Sequence, residues 1–271
     1  MEEPSIVPAP RGCTAALLKG LAAVTMIIDH VGAVFLEYGL YPAGRMTPAL
    51  WDLDMVLRGI GRLAFPLYIL LMAEGFFHTR SRGKYLGRLA AFAILSDIPF
   101  DLAFSSRPGR IVWLDLHHQN VFFTLAIGFA VIWGCEVCLE WAGHPARFRR
   151  PLEGEVHLTW RSLAAVCGCA ALIAAGCFAA ERLYTDYGGW GVAAKAAAWL
   201  IRRYTVQTAW EYAGMIPLLY LANPVELIAA AGALPAAFYR GARGRQGNKW
   251  LWYALYPAHL LLLAGLRAWM L

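Results

Sequence analysis

Long apolar segments separated by short polar loops make up most of the chain. Because a membrane helix needs about 20 mostly apolar residues, this pattern predicts about nine transmembrane helices. Windows of that kind open near Thr14, Val56, Tyr85, Val121, Leu163, Trp190, Val206, Val225 and Trp250. The predicted fold is therefore an all-α, polytopic membrane bundle that forms a single domain over residues 1–271.

The loops between these segments differ in charge, because Lys and Arg collect in every second loop. The basic groups are Arg11 with Lys19; Arg80, Arg82, Lys84 and Arg88; Arg147, Arg149, Arg150 and Arg161; Arg202 and Arg203; and Arg240, Arg243, Arg245 and Lys249. By the positive-inside rule this alternation predicts a cytoplasmic N-terminus. The residues before Thr14 lack a basic n-region and a cleavage site, so the first apolar segment is expected to remain as a membrane helix.

Composition supports a membrane protein and argues against other classes. Hydrophobic residues make up 59% of the sequence, against about 45–50% in soluble domains. The formal charge of +6 comes from loop residues, so membrane orientation explains it and no nucleic-acid partner is expected. Cys135 and Cys138 form a C-x-x-C without a second pair. The cysteines are therefore interpreted as packing residues, and neither a disulfide nor a metal site is predicted.

The first apolar segment contains two adjacent ionisable residues, Asp29 and His30. A charged side chain near the bilayer centre costs about 3 kcal/mol on insertion scales, so it usually has a partner, a water-filled cavity or a reaction. Neighbouring residues on a helix point about 100° apart and cannot readily pair with each other. Each should therefore find a partner on another helix, which predicts a polar cavity among several helices.

Most other intramembrane polar residues fall at the same predicted depth as this pair, in the outer leaflet. At about 1.5 Å per residue, that level contains Arg62, Asp97, Asp101, His117, His118, Asn120, Asp186 and Lys195, whereas Glu74 and His78 lie near the inner surface. Simpler interpretations remain open: Arg62 could snorkel or pair with Asp97, and His78 could be interfacial. His259 could be a core histidine that contacts a backbone carbonyl freed by Pro257.

Chemistry at the outer level would centre on His30, the candidate general base. Asp97 or Asp186 from another helix would orient its ring, and Asp29 would pair with Arg62. Asn120 could donate a hydrogen bond to a developing oxyanion.

A basic segment, Thr79 to Arg88, lies at the opposite membrane surface. Its charges suit the phosphates of a nucleotide-containing donor. The same charges could instead act only as topology determinants.

Several blocks of the sequence resemble a known family. They are LKGLAAVTMIIDHVG (18–32), LRGIGRLAFPLYILLMAEGFFHT (57–79), KYLGRLAAFAILSDIPFDL (84–102), HHQNVFFTLAIG (117–128), TDYGGWGV (185–192) and WLWYALYPAHLLLL (250–263). In this order they are similar to the TraX family, membrane proteins associated with N-terminal acetylation of conjugative pilin. More distantly, the first two blocks resemble transmembrane acetyltransferases such as the lysosomal heparan enzyme.

The resemblance implies an acetyl-CoA-dependent acetyltransferase of the bacterial cytoplasmic membrane, without a metal. Its partners would be acetyl-CoA, the lipid bilayer and an acceptor amine or hydroxyl, such as a protein N-terminus or a sugar. By its motifs the resemblance points to Asp29, His30, Arg62, Glu74, His78, Asp97, Asn120, Asp186, Tyr187 and His259. Together with the basic segment, these residues give a predicted catalytic set of His30, Asp29, Asn120, Asp97 and Asp186; a predicted acetyl-CoA site of Arg62, His78, Arg80, Arg82, Lys84 and Arg88; and a predicted acceptor site of Glu74, His118, Tyr187 and His259. The loop from Glu37 to Asp54 lies outside the matched blocks and could shape the acceptor site.

Two mechanisms and two other functions stay open at this point. Transfer could be direct, or it could pass through an acetyl-histidine. A proton-coupled transporter or flippase would use the same buried residues as a proton relay, although related halves are not evident in the sequence. A non-enzymatic assembly factor for a surface fibre would need neither Asp29 nor His30.

Overall fold

The computed structural model describes residues 12–107, 109–144, 159–205, 207–245 and 247–270, and its regular elements over these ranges are helices. They are α1 (Ala15–Val31), α2 (Pro48–Gly61), α3 (Ala64–His78), α4 (Arg82–Phe104), α5 (Val121–Trp141), α6 (Trp160–Arg182), α7 (Gly188–Tyr204), α8 (Thr208–Ala222), α9 (Ala233–Ala237) and α10 (Lys249–Met270). A π-helical segment, Gly32–Leu40, extends α1, and a 3₁₀ segment, Pro224–Gly232, precedes α9.

Four described segments are long and apolar enough to cross a membrane: Ala15–Leu40, Pro48–His78, Val121–Trp141 and Trp160–Arg182. The chain is therefore a helical membrane protein, as the hydrophobic pattern predicts. The second window differs in detail, since α2 begins at Pro48 and the helix is interrupted at Arg62 and Leu63 before α3 starts.

The eighth predicted window does not form one membrane-length helix. Pro224 starts a 3₁₀ segment, and the following α9 has only 5 residues. Gly232 and Pro235 are consistent with this break, because glycine is unfavourable in a helix interior and proline has no backbone N–H to donate to the preceding turn. The preceding α8, with 15 residues, spans only about 22 Å at 1.5 Å per residue.

Five residues used in the sequence predictions, Arg11, Arg147, Arg149, Arg150 and Val206, lie outside the described residues.

Helices α1, α4 and α10 run in the same direction. The start of α1 is joined to the segment before α10 by backbone hydrogen bonds from Cys13 to Phe238 and from Ala15 to Ala242. At the far end of α10, the Arg267 guanidinium donates to the carbonyls of Leu102 and Ala103, where α4 ends. Because a helix C-terminus carries unpaired carbonyls and partial negative charge, a buried arginine is well accommodated there.

The paired arginines at the end of α7 are buried, although the loop pattern assigns them to a solvated basic loop. Arg202 pairs with Glu74 of α3 and Glu211 of α8. Arg203 pairs with Glu136 of α5. The prediction of a simple topology loop is therefore wrong here, because each arginine is buried and paired with a carboxylate on a neighbouring helix, which offsets part of the cost of burial.

Candidate functional site

A cavity of about 590 Å³ lies among α1, α2, α3, α4, α5 and α10, a volume typical of cofactor and small-ligand sites. One end, called the basic end below, is lined by Lys19, His78, Arg88, Arg243 and Lys249. The other, called the histidine end, is lined by Asp29, His30, Arg58, Arg62, His118 and Asp186. Ten residues of α1 separate Lys19 from Asp29, about 15 Å along the helix axis.

His30 is held in the histidine end by a second histidine. Its Nδ1 lies 2.6 Å from Nε2 of His259 in α10. The two rings are parallel within 3°, with centroids 4.9 Å apart, so they extend away from the contact in one plane. Phe104 and Tyr256 pack edge-on against the His30 ring.

This contact corrects two predictions. His30 is not oriented by Asp97 or Asp186, because the nitrogen available for orientation is bonded to His259. His259, assigned to the acceptor, is 7% exposed and is absent from the described cavity lining. Its Nδ1 contacts the carbonyl of Leu255, 2.8 Å away, and not the carbonyl freed by Pro257.

Asp29 is bonded to two arginines of the α2–α3 segment. Its Oδ1 accepts a hydrogen bond from Nη2 of Arg62 at 2.9 Å, and its Oδ2 accepts one from Nη1 of Arg58. The predicted Asp29–Arg62 pair is therefore confirmed. His30 Nε2 lies 4.0 Å from Asp29 Oδ2, which is beyond hydrogen-bond distance. The adjacent residues thus have separate partners, as helix geometry predicts.

The ion-pair network extends to two further carboxylates. Arg58 also pairs with Glu37 at 3.2 Å, and Arg62 pairs with Glu226 at 2.7 Å. Sequence reasoning missed Arg58 as a site residue, although its spacing of four from Arg62 places both on one helix face. Glu226 follows the 3₁₀ start at Pro224, and no recognised motif marks it.

Close approach between α1 and α2 depends on Gly61. A Cβ atom built on Gly61 would overlap the side chain of Asp29. Gly61 therefore lets the α2 backbone lie directly against the Asp29 carboxylate. That contact places Arg58 and Arg62 on either side of the acid.

Asn120 and Asp97 form a structural contact next to the cavity. Asn120 is fully buried, and its Nδ2 donates to the Ala93 carbonyl at 2.8 Å and to Asp97 Oδ1 at 3.1 Å. Its Oδ1 caps α5 by accepting from the Phe122 backbone. Because both amide hydrogens are used, the prediction that Asn120 donates to an oxyanion is wrong. Neither residue is part of the described cavity lining.

The turn between α6 and α7 supplies Asp186 and Tyr187 to the histidine end. The Asp186 backbone N–H donates to the Gln119 carbonyl at 2.8 Å, and Thr124 Oγ1 donates to the Asp186 carbonyl. Tyr187 adopts a φ of 64° and stacks on Phe65 with ring centroids 3.7 Å apart. These contacts fix both side chains as a wall of the cavity.

A second cavity of about 320 Å³ lies beyond this wall. Arg62, Asp186 and Tyr187 line both cavities, whereas Glu181 and Glu226 belong to the second. Oε2 of Glu226 is buried and has no hydrogen-bond partner among the described residues. The second cavity is therefore acidic and is separated from the first by three side chains.

His118 lines the histidine end from the loop before α5, and its ring lies 4.8 Å from Phe100. Asp115 holds this loop, because its Oδ1 accepts from the His117 backbone N–H at 3.0 Å and its Oδ2 from Ser105. The backbone hydrogen bond lowers the pKa of the Asp115 carboxyl below its ordinary value.

The basic end contains some, but not all, of the predicted phosphate-binding residues. Arg88 and His78 line it, whereas Arg80, Arg82 and Lys84 are absent from the described lining. Arg82 instead pairs with Glu140 and lies over the Phe76 ring, because its side chain points toward α5. Arg62, also assigned to the donor, lies at the histidine end.

Three cationic residues of the basic end, Lys19, Arg243 and Lys249, were interpreted from the sequence only as topology determinants. They come from the start of α1 and the approach to α10, far apart in sequence. Glu74 also lines the cavity and is paired with Arg202 and His78. The pairing with Arg202 makes Glu74 part of the helix-joining network rather than a free acceptor ligand.

Among the described residues, no group of three or more His, Cys, Asp or Glu side chains has a geometry suited to a metal ion. The histidine end presents imidazole, carboxylate and guanidinium groups. An imidazole with one orienting partner can accept a proton, and two guanidinium groups can stabilise negative charge.

The fold and cavity define a helical membrane protein with a buried His/Asp/Arg centre that opens toward a cationic surface. The family described as TraX protein matches residues 14–267, and the chain belongs to this family. A similar curated protein is the "Probable fimbrial assembly protein FimC, serogroup H1" of Dichelobacter nodosus. The two sequences are 28% identical over an alignment of 271 positions, gaps included, which covers 92% of this chain and 94% of that protein. No solved structure matches the chain.

Proposed function

We propose that this TraX-family chain is a transmembrane acetyltransferase that moves an acetyl group from cytosolic acetyl-CoA to an acceptor amine or hydroxyl on the outer side. The observation that carries the proposal is one cavity that joins four cationic side chains, Lys19, Arg88, Arg243 and Lys249, to His30. The loop charges favour a cytoplasmic N-terminus, and we infer that the protein resides in the bacterial cytoplasmic membrane. In that orientation, the basic end faces the cytosol.

Acetyl-CoA would bind with its phosphates at the basic end. Lys19, Arg88, Arg243 and Lys249 supply positive charge there, and phosphate oxygens accept charge-assisted hydrogen bonds from such groups. The apolar middle of the cavity would hold the pantetheine arm. Its thioester would then lie beside His30, about 15 Å along α1 from Lys19.

Direct transfer would use His30 as the general base. His30 Nε2 takes a proton from the acceptor amine or hydroxyl. At the same time, the nitrogen or oxygen of the acceptor bonds to the thioester carbonyl carbon. The C–S bond then breaks, and the CoA thiolate leaves with the proton returned from His30. Arg58 and Arg62, instead of Asn120, would stabilise the oxyanion, since their guanidinium groups line the same end.

The acceptor would bind in the second cavity, and Arg62, Asp186 and Tyr187, which separate the two cavities, would move aside to admit its reacting group to His30. The lining of the second cavity includes Glu181, Asp186 and Glu226, which favour an acceptor that carries positive charge. Because the FimC relative is described as a fimbrial assembly protein, a fimbrial or pilin-like subunit is one candidate acceptor. The N-terminal group of such a subunit would bind as the ammonium and would lose one proton to solvent before it reacts as the neutral amine.

Binding of acetyl-CoA by the purified full-length protein in lipid nanodiscs tests the donor site. Lys249→Ala and Arg88→Ala should each weaken binding of acetyl-CoA about tenfold or more, but not binding of acetyl-pantetheine, which lacks the nucleotide phosphates. Lys84→Ala is the matched control, because Lys84 lies one helical turn before Arg88 and outside the described lining. Equal acetyl-CoA affinity in all three variants would contradict the proposed donor site.

Transfer itself is tested by incubating the protein and acetyl-CoA with candidate fimbrial subunits and measuring acceptor mass. His30→Gln should keep acetyl-CoA affinity and lose transfer, because the base but not the donor site is removed. Labelled acetyl-protein formed without acceptor would favour a covalent acetyl-histidine over direct transfer.

A non-enzymatic assembly role is the second candidate, and the FimC name favours it. In that case, His30→Gln alone would leave fibre assembly intact, and it keeps the Asp29 ion pairs with Arg58 and Arg62. Loss of assembly together with loss of transfer would favour the enzyme. Proton-coupled flux without thioester cleavage would favour a transporter or flippase.

A further inference from the structure

We propose that His259 is a positioning residue that holds His30 in the tautomer with its proton on Nδ1 and its free lone pair on Nε2. This inference rests on the proposed function, because it assigns His259 a role in presenting the general base. The hydrogen-bond chain runs from His30 Nδ1 to His259 Nε2 at 2.6 Å and from His259 Nδ1 to the Leu255 carbonyl oxygen at 2.8 Å.

The direction of these hydrogen bonds follows from the last acceptor, the Leu255 carbonyl oxygen. A carbonyl oxygen only accepts hydrogen bonds, so the proton of the second contact is on Nδ1 of His259. In a neutral imidazole the other nitrogen then carries a lone pair. His259 Nε2 is therefore an acceptor, and the proton of the 2.6 Å contact must come from His30 Nδ1.

A doubly protonated His259 would reverse this direction, but its surroundings oppose a positive charge. The hydrogen bonds of His259 go to a backbone carbonyl and to another imidazole, and the residue is 7% exposed. A buried cation without a carboxylate partner is costly. The neutral form of His259 is thus the favoured one.

With its proton on Nδ1, neutral His30 has its lone pair on Nε2, at the histidine end of the cavity. The nearest carboxylate, Asp29, cannot donate a proton to that lone pair when ionised, and its oxygens are bonded to Arg58 and Arg62. Nε2 consequently stays available for the acceptor. Once it gains a proton, Asp29 Oδ2, 4.0 Å away, stabilises the positive charge.

The in-plane geometry gives this role its specificity. The rings are parallel within 3°, so the hydrogen bond fixes ring rotation as well as the tautomer. Edge-on contacts from Phe104 and Tyr256 restrict the His30 ring further. The same histidine pair therefore sets both the position and the direction of the His30 lone pair.

Nitrogen-15 NMR of the full-length, histidine-labelled protein in nanodiscs tests the inference, with His30→Gln used to assign the His30 signals. In wild type, Nδ1 of His30 should be protonated and Nε2 unprotonated. In His259→Leu, which has no acceptor, His30 should populate the Nε2-protonated form. His259→Gln, whose Oε1 can accept from Nδ1, should retain the wild-type pattern. His117→Gln, in an exposed loop, is the control.

Activity provides a second measurement. For His259→Leu, kcat should fall about 10²-fold or more, the scale of general-base catalysis, with acetyl-CoA affinity unchanged; His259→Gln should recover at least part of that loss. An Nε2-protonated His30 in wild type, or an unchanged His30 tautomer in His259→Leu, would overturn the inference. Because the wild-type spectrum needs no acetyl transfer, an inactive protein with the expected tautomer refutes only the proposed function. If His259→Leu does not fold, the wild-type and His259→Gln spectra still decide.

Discussion

Gly61→Ala should disrupt the site by a single methyl group. The added Cβ would overlap the Asp29 side chain, which is 8% exposed and held between two arginines. Asp29 cannot move aside while keeping both ion pairs, because Arg58 and Arg62 lie on the same α2–α3 segment as Gly61. The substitution must therefore shift α2 or break a pair.

The magnitude follows from the two opposing effects. Overpacking a close contact costs about 1–3 kcal/mol, and breaking a buried ion pair costs about 3–5 kcal/mol. Replacing glycine by alanine in a helix returns at most about 1 kcal/mol. We therefore expect Gly61→Ala to lower the free energy of unfolding by about 2–4 kcal/mol where an ion pair breaks, and by up to about 2 kcal/mol where α2 shifts instead.

Gly20→Ala is the matched control. Gly20 lies within α1, and a Cβ atom there would meet no heavy atom within 4 Å. It should change stability by less than about 1 kcal/mol, in the stabilising direction. Thermal unfolding in nanodiscs, followed by tryptophan fluorescence, measures both variants, and acetyl transfer is measured in parallel. A Gly61→Ala protein that melts and reacts like Gly20→Ala would refute the close-contact argument.

Three further outcomes are expected. Arg62→Gln should cost about 3 kcal/mol in unfolding, and adding Glu226→Gln should recover about 2 kcal/mol, because Glu226 no longer carries an unpaired charge; strictly additive costs would contradict this. Lys195→Met should not destabilise the protein. The Lys195 side chain is 1% exposed and donates to a backbone carbonyl of α5, and methionine removes the cost of burying its ammonium group. A lower melting temperature would contradict this expectation. Because the folded-state pKa of Asp115 is lowered, its contribution to loop order should be complete above its ordinary pKa and be lost as pH falls through the folded value. The protection factor of the loop amides, which is the exchange rate corrected for its intrinsic pH dependence, should fall over that acidic range in wild type but not in Asp115→Asn.

The sequence predicts the helices well where hydrophobic pattern alone decides them. Windows at Thr14, Val121 and Leu163 correspond to α1, α5 and α6. The pattern fails where backbone conformation matters more, as after Pro224, where a 3₁₀ segment that ends at Gly232 stands in place of a membrane-length helix. The interruption at Arg62 is also invisible to a hydropathy window, because apolar residues continue on both sides.

The candidate site is predicted in part for a similar reason. Helix geometry shows that Asp29 and His30 need separate partners, and charge leads correctly to Arg62. To identify His259 and not Asp97 as the partner of His30, one must know that α1 and α10 are neighbours. One must also know that Asp97 accepts a hydrogen bond from Asn120. Such long-range pairings depend on how the helices pack, which cannot be read from the hydrophobic pattern of a single sequence.

The ion pairs at the histidine end are more consistent with a chemical role than with helix joining alone. Helix joining needs a buried charge and its partner, as Arg203 and Glu136 provide outside the cavity. Asp29 and Arg62, by contrast, line the cavity. The His30 ring lines it too, although a neutral imidazole needs no charged partner. A membrane protein would stabilise this region better with apolar residues. Retaining an imidazole, a carboxylate and two guanidinium groups around open space is the arrangement expected when charge must develop and move there.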